Sequence, residues 1–209
     1  MKTDREIAQE RSQHSFFSSS YHHHFEGYSE YEVTDEKGIS RIRRIYTGMY
    51  YIPELDRKQR VLHCLIQSTL WIAAWALLIF GASRQGAGNS TWYVGLCQAA
   101  DIAVLIWTGS GLFNYLIASS KMTVGEWRSS AQRVKHGCIC ALASMAATGG
   151  MTVLDLILTE KEVAEHLLST ACYLLASLCM LTVRMIERRI VYKRVPSTER
   201  APGFAAQIQ

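Results

Sequence analysis

The sequence predicts an all-α integral membrane protein, in which four transmembrane helices form a bundle and a short cytoplasmic β-hairpin precedes the first span. Three observations predict this class: the distribution of charge, the length of the apolar segments, and the side on which positive charge collects. The chain has 22 Lys and Arg and 18 Asp and Glu, but only five of them lie within four long apolar segments. The segments are 61–83, 92–118, 134–158 and 163–186, and the five residues are Asp101, Lys135, Asp155, Glu165 and Arg184. This distribution excludes a soluble single-core domain, a disordered chain and a secreted disulfide scaffold.

The apolar segments are long enough to cross a bilayer. A transmembrane helix needs roughly 20 mostly apolar residues to cross about 30 Å of hydrocarbon. Segment 61–83 contains no charged residue, and 92–118 and 163–186 also qualify. Segment 134–158 is the least apolar, because Gly, Ala, Ser, Cys and Thr supply much of it. Such small residues let helices approach closely, so we interpret this segment as a span packed among the others.

Positive charge predicts the orientation, because Lys and Arg collect on the cytoplasmic side of a membrane protein. Residues 1–60 carry 10 Lys and Arg, residues 119–135 carry four, and residues 184–209 carry six. The two remaining connections carry one each, Arg84 and Lys161. We therefore expect a multi-pass protein of the cell membrane with both termini in the cytoplasm.

Residues 1–60 form a cytoplasmic arm ahead of the spans. We expect a flexible segment over 1–30, in which His22–His24 belong to a polar tail rather than to a metal site. Segment 31–46 predicts a β-hairpin, since β-branched and aromatic residues flank a Gly-containing turn. Segment 46–60 is rich in tyrosine and predicts an interfacial lead-in to the first span. No cleavable signal peptide is expected, because the first long apolar run follows this arm.

The transmembrane domain covers residues 61–186, and residues 187–209 follow as a basic cytoplasmic tail that we expect to be disordered after Ile190. Two glycine pairs lie inside the second and third spans, at 108–111 and 148–152. Each pair either interrupts its helix, as in many transporter binding sites, or allows close helix packing. Close packing is the more frequent cause.

Asp101 is the strongest candidate for a functional residue. It lies about 14 Å into the second span, near mid-membrane, where a carboxylate costs roughly 2.5 kcal/mol or more unless it is protonated, paired or hydrated. The alternatives are a proton relay, a cation site or subunit contact, and a protonated carboxyl that only joins helices. At helical spacing, other polar residues face the same interior and complete a predicted intramembrane polar site. They are Gln98, Thr108, Thr148 and Tyr173.

A second intramembrane acid, Asp155, lies only a few residues from the end of the third span. His166 enters the fourth span from the same side of the membrane. We therefore expect a local Asp155–His166 pair whose role is mostly structural.

No motif of an enzyme, a metal site or nucleic-acid binding is present in the sequence. The prediction is a transport-related protein or an accessory subunit, working as a homo-oligomer or within a larger membrane complex. One alternative is an electron-transfer subunit in which His63 and His136 ligate a b-type haem. A purely structural scaffold is the third possibility.

Overall fold

The computed structural model describes residues 27–34, 40–84, 91–159 and 163–197. Four long helices occupy the predicted spans: α1 (Arg57–Ala82), α2 (Trp92–Ile117), α3 (Arg133–Thr159) and α4 (Val163–Arg189). All four are long and apolar enough to cross a membrane, which confirms the four predicted helices. The predictions made for residues 1–26 and 198–209, His22–His24 included, lie outside the described residues.

The helices pack in a ring, α1 against α2, α2 against α3, α3 against α4, and α4 back against α1. α1 and α3 therefore occupy opposite corners, as do α2 and α4. The end at which α1 and α3 begin is called the basic end here, and the opposite end is the far end. At the far end α1 and α4 come very close, because Ser169 Oγ donates to the Gly81 carbonyl oxygen at 3.1 Å.

Glycine allows α2 to approach both α3 and α1. A Cβ added at Gly137 would lie 2.3 Å from Oγ1 of Thr108, and one added at Gly109 would lie 2.5 Å from Cζ2 of Trp71. α2 and α3 remain helical through the two glycine pairs, so neither pair interrupts its helix. The pair in α2 therefore serves close packing rather than a break, since Gly111 is also in tight contact, with Val134.

Apolar side chains fill much of the bundle interior between its middle and the basic end. Leu105, Cys138, Met180 and Val183 are completely buried there, and we call these four residues the apolar layer. Burying apolar area in this way stabilises a fold by about 25 cal/mol per Å² where water is the alternative. Inside a bilayer, close packing and hydrogen bonds take over much of that role.

The third span begins with an irregular turn. A short helix, Val124–Trp127, is followed by a π-helical turn, Arg128–Gln132, before α3 starts. Asn114 Nδ2 at the end of α2 donates to the Ser129 carbonyl oxygen at 3.1 Å. π-Helical turns are rare and are often found at functional sites.

Arg60 hydrogen-bonds to the backbone that directly follows α2, at the basic end of the bundle. Its guanidinium donates to the carbonyl oxygen of Ala118 at 2.6 Å and to that of Ser119 at 3.1 Å, and it lies over the Tyr115 ring. The last carbonyls of a helix have no partner within the helix. A planar guanidinium with several donors is therefore well suited to this position.

The strands belong to a second compact unit, whose described residues are 27–34, 40–52, 121–125 and 193–197. β1 (Tyr28–Thr34) pairs antiparallel with β2 (Ser40–Tyr46), which confirms the predicted hairpin. β3 (Met49–Pro53) pairs with β4 (Tyr192–Pro196). The prediction of a disordered tail after Ile190 is therefore wrong for residues 192–196. Their ladder partner, β3, lies far away in the sequence, before α1, so the pairing could not be predicted from the local pattern.

Tyr46 organises this strand unit. Its hydroxyl donates to the Met49 carbonyl oxygen at 2.7 Å and accepts from the Val124 amide at 3.1 Å, and its ring packs against Tyr28 and Tyr50. Burial raises the pKa of this phenol above its ordinary value. Segment 46–60, which we predicted as an interfacial lead-in, contains β3 and the first residues of α1.

Candidate functional site

Buried polar side chains form three clusters in the helical unit, one near the far end, one in the middle and one at the basic end. The far cluster is Tyr93, Asp155 and His166; the central cluster is Asp101, Ser144 and Thr148; the basic-end cluster is Gln67, Glu187 and Tyr192. Each cluster contains one carboxylate. Polar groups away from water must find partners within the protein. These clusters supply most of them, although Oε1 of Gln67 and Nε2 of His166 make no hydrogen bond within the described residues.

The central cluster joins α2 to α3. Asp101 is completely buried, and each of its carboxylate oxygens accepts a hydroxyl hydrogen bond from α3. Ser144 Oγ donates to Oδ1, and Thr148 Oγ1 donates to Oδ2 at 2.7 Å. The sequence prediction placed Thr148 in one polar site with Asp101, and the structure adds Ser144. The donors are four residues apart on α3, so they share one face of that helix.

The hydroxyl of Thr148 has two acceptors within reach. One is Asp101 Oδ2 and the other is the carbonyl oxygen of Ser144, at 3.1 Å. If Asp101 is ionised, Thr148 donates to the carboxylate. If Asp101 is protonated, its own O–H can donate to Thr148 Oγ1 while the threonine hydroxyl turns to the carbonyl. The cluster therefore provides hydrogen bonds for either protonation state of Asp101.

The other predicted site residues lie on both sides of this cluster. Gln98 Nε2 donates to the Tyr173 hydroxyl at 2.8 Å, one helical turn from Asp101 toward the far end. Thr108 is two turns from Asp101 in the other direction; its hydroxyl donates to its own helix, to the Val104 carbonyl oxygen. Thr108 therefore lies at the α2–α3 contact and does not join the carboxylate.

The far cluster contains the predicted Asp155–His166 pair. Nε2 of His166 lies 3.8 Å from Oδ2 of Asp155, and both side chains are almost completely buried. Tyr93 on α2 donates its hydroxyl to the other carboxylate oxygen. Thr152, also buried, lies between this cluster and the central one on α3. Together with Thr148, it extends a polar stripe from Asp155 toward Asp101.

Sequence analysis missed the basic-end cluster. Glu187 is 5% exposed and accepts hydrogen bonds from Gln67 on α1, at 3.3 Å, and from Tyr192, at 2.8 Å. Burial and the neighbouring Glu187 charge raise the pKa of the Tyr192 phenol above its ordinary value. Glu187 was overlooked because it directly precedes Arg188 and Arg189 and looks like part of a basic tail.

The two histidines proposed as haem ligands lie on opposite corners of the ring. His63 on α1 is half-buried and His136 on α3 is exposed. The interior near them is filled by Cys64, Val134 and other buried side chains. A macrocycle held between the two histidines would have to displace this packing, so the residues present do not fit a haem. The electron-transfer alternative stays a prediction for spectroscopy to decide.

Neither a scan against protein-family models nor searches of curated proteins and of solved structures find a match to this chain. The function is therefore inferred from the chain's own side chains and their geometry.

Proposed function

We propose that this chain is a transport-related multi-pass membrane protein in which Asp101 accepts and releases a proton inside the bilayer. The observation that carries the proposal is the central cluster, whose hydroxyls can satisfy the carboxyl whether it is charged or neutral. An acid whose only role is to join two helices needs hydrogen-bond partners for one protonation state only. Intramembrane acids of this kind commonly mark ion and proton pathways.

The polar stripe on α3 supports a route from the far end to Asp101. Asp155, Thr152 and Thr148 follow one another at intervals of one helical turn, and all three are buried. His166 and Tyr93 add two further proton-carrying groups where this stripe reaches the helix ends. Hydroxyls, imidazole and carboxylates arranged in series are the usual components of a proton relay. The Thr152 hydroxyl donates to the Thr148 carbonyl oxygen at 2.9 Å and has to turn away from it to take part.

The apolar layer separates this route from the basic end. Leu105, Cys138, Met180 and Val183 lie between Asp101 and Glu187 along the helices, and none has any exposed surface. A proton passing fully through the bundle would need this layer to open. We therefore place the chain in a homo-oligomer or as an accessory subunit of a larger membrane complex, where partner helices can shift α2 against α4.

The orientation belongs to the same proposal. We place the basic end in the cytoplasm of the cell, because Lys and Arg collect in the segments that flank that end. Both termini then lie in the cytoplasm. Asn89-Ser90-Thr91 is already an N-glycosylation acceptor and should be modified in a microsomal system. In an Asn89→Gln background, an acceptor inserted at 160–162 should be modified and one added after 197 should not be.

Reconstituted liposomes test the proton-carrying role. The purified protein is sealed in vesicles with a pH-sensitive dye, and a potassium gradient with valinomycin drives protons inward. We expect dye acidification with the wild type and at least tenfold slower acidification with Asp101→Asn. Thr182→Ala is the matched control, because its hydroxyl bonds only to its own helix, at the Leu178 carbonyl oxygen.

Two outcomes would contradict the proposal. If Asp101→Asn carries protons as fast as the wild type, Asp101 is not the site. If the wild type carries none, alone or in a complex isolated from native membranes, the scaffold alternative is favoured. Asp101→Asn should then leave assembly of that complex unchanged, as judged by its size on a native gel.

A further inference from the structure

We propose that a cavity at the basic end binds the phosphate of an acidic phospholipid headgroup. The cavity has a volume of about 160 Å³, many times what a single water molecule needs. It lies between the start of α3 and the end of α4. Its polar lining consists of Trp127, Gln132, Lys135, His136, Arg188 and Tyr192, together with Glu187.

The charge of the lining favours an anion. Lys135 and Arg188 contribute two positive charges, His136 adds a third when protonated, and Glu187 contributes one negative charge. Glu187 is already engaged, because one carboxylate oxygen accepts from Gln67 and the other from Tyr192. Lys135 also interacts electrostatically with Glu187, so Arg188 and the remaining part of the Lys135 charge are available to a ligand. Basic pockets between transmembrane helices bind acidic lipid headgroups.

The π-helical turn shapes one wall of this cavity. Ala131 and Gln132, its last two residues, line the space just before Lys135 and His136. A regular α-helix would place these residues with a different rotation relative to α4. The wider turn thus brings the Gln132 side chain to the cavity and so adds an amide donor to the two cationic groups.

Aromatic side chains place the cavity at the level of lipid headgroups. The rings of Trp127 and Tyr192 meet edge to face with centroids 6.4 Å apart, and both line the cavity. Tryptophan and tyrosine are enriched where hydrocarbon gives way to the headgroup layer. A site for a dissolved anion does not need to lie at the headgroup layer, whereas the phosphate of a lipid lies there.

Apolar side chains next to the cavity are available for the acyl chains. One turn further into the span, Ile139 follows Lys135 and His136 on the same face of α3, and Met185 precedes Arg188 on α4. Both side chains are exposed on the outer surface of the bundle, at 42% and 52%. A phospholipid with its phosphate in the cavity would lay its chains along this apolar surface.

Lipid-dependent thermal unfolding tests the proposal on the full chain. The protein is purified in detergent, and its unfolding temperature is measured with phosphatidylglycerol, with phosphatidylcholine and with inorganic phosphate. We expect preferential binding of phosphatidylglycerol. A Lys135→Gln/Arg188→Gln variant should lose this preference about 25-fold, since each removed charge near a lipid surface costs about fivefold in affinity. Lys58→Gln is the matched control, because Lys58 is an exposed basic residue at the same end but outside the cavity.

The three ligands distinguish the possible sources of phosphate. Stabilisation by inorganic phosphate alone, without a lipid preference, would overturn the lipid assignment. Equal stabilisation by both lipids, or a preference that survives in Lys135→Gln/Arg188→Gln, would overturn the site. If the double variant fails to fold, native mass spectrometry of Gln132→Ala and Lys58→Gln decides, because only the former should release bound phosphatidylglycerol.

Discussion

Replacing Gly137 by alanine should destabilise the bundle by about 1–2 kcal/mol. The added Cβ would lie 2.3 Å from Oγ1 of Thr108, whereas ordinary contact begins at 3.4 Å. Thr108 is held in place by its hydrogen bond to the Val104 carbonyl oxygen at 2.8 Å. Relief requires either breaking that bond or separating α2 from α3. Overpacking of this kind costs about 1–3 kcal/mol, and the better helix propensity of alanine returns up to about 1 kcal/mol.

Gly150 on the same helix is the matched control, because a Cβ added there meets no atom within 4 Å. Gly150→Ala should therefore be neutral or stabilising by up to about 1 kcal/mol. The assay is unfolding of the detergent-purified protein by SDS, followed by far-ultraviolet circular dichroism. Adding Thr108→Ala to Gly137→Ala should restore part of the lost stability, giving a coupling of at least about 0.5 kcal/mol. Equal losses for Gly137→Ala and Gly150→Ala, or zero coupling, would refute the reasoning.

Three further substitutions and one spectrum check other contacts. Arg60→Lys should destabilise the bundle by about 1 kcal/mol in the SDS assay, since an ammonium cannot replace the planar guanidinium that donates to the carbonyl oxygens of Ala118 and Ser119, just after α2. The wild type should lose stability as the pH rises above 10.0, because the raised pKa of Tyr192 keeps its phenol neutral in the folded state; Tyr192→Phe should weaken that loss. Asp155→Asn should destabilise the bundle by about 1–3 kcal/mol in the SDS assay, because a neutral amide then replaces the buried carboxyl that accepts from Tyr93 and lies beside His166. A featureless visible spectrum of the reduced protein is expected, and a Soret band lost in His63→Ala or His136→Ala would contradict it.

The spans could be predicted from the sequence because the bilayer imposes a simple physical requirement. A helix of 26 residues, such as α1 or α2, is about 39 Å long at 1.5 Å per residue and covers the hydrocarbon. Nearly all charge must then lie outside such segments, so composition alone reveals them. The β1–β2 hairpin was also predictable, because its two strands are close in sequence and separated by a turn.

The contents of the polar clusters were only partly predictable. Helical spacing predicts which face a residue occupies, but it does not predict which residues on a neighbouring helix lie at the same depth. Gln98 and Thr108 both share the face of Asp101, yet Gln98 pairs with Tyr173 and Thr108 contacts Gly137. The depth of each side chain depends on the offset of α2 along its axis relative to α3 and α4. Contacts such as the one at Gly137 determine that offset.

The pairing of β3 with β4 has a consequence for biosynthesis. β3 directly precedes α1 and β4 follows α4, so this ladder closes only after all four long helices have been synthesised. About 140 residues separate the two strands, and a ribosome needs about 7–28 s to add them at 5–20 residues per second. During that time β3 is an unpaired edge, which other chains can capture. A truncated chain that ends before Tyr192 keeps this edge open for good, and quality-control factors can recognise it.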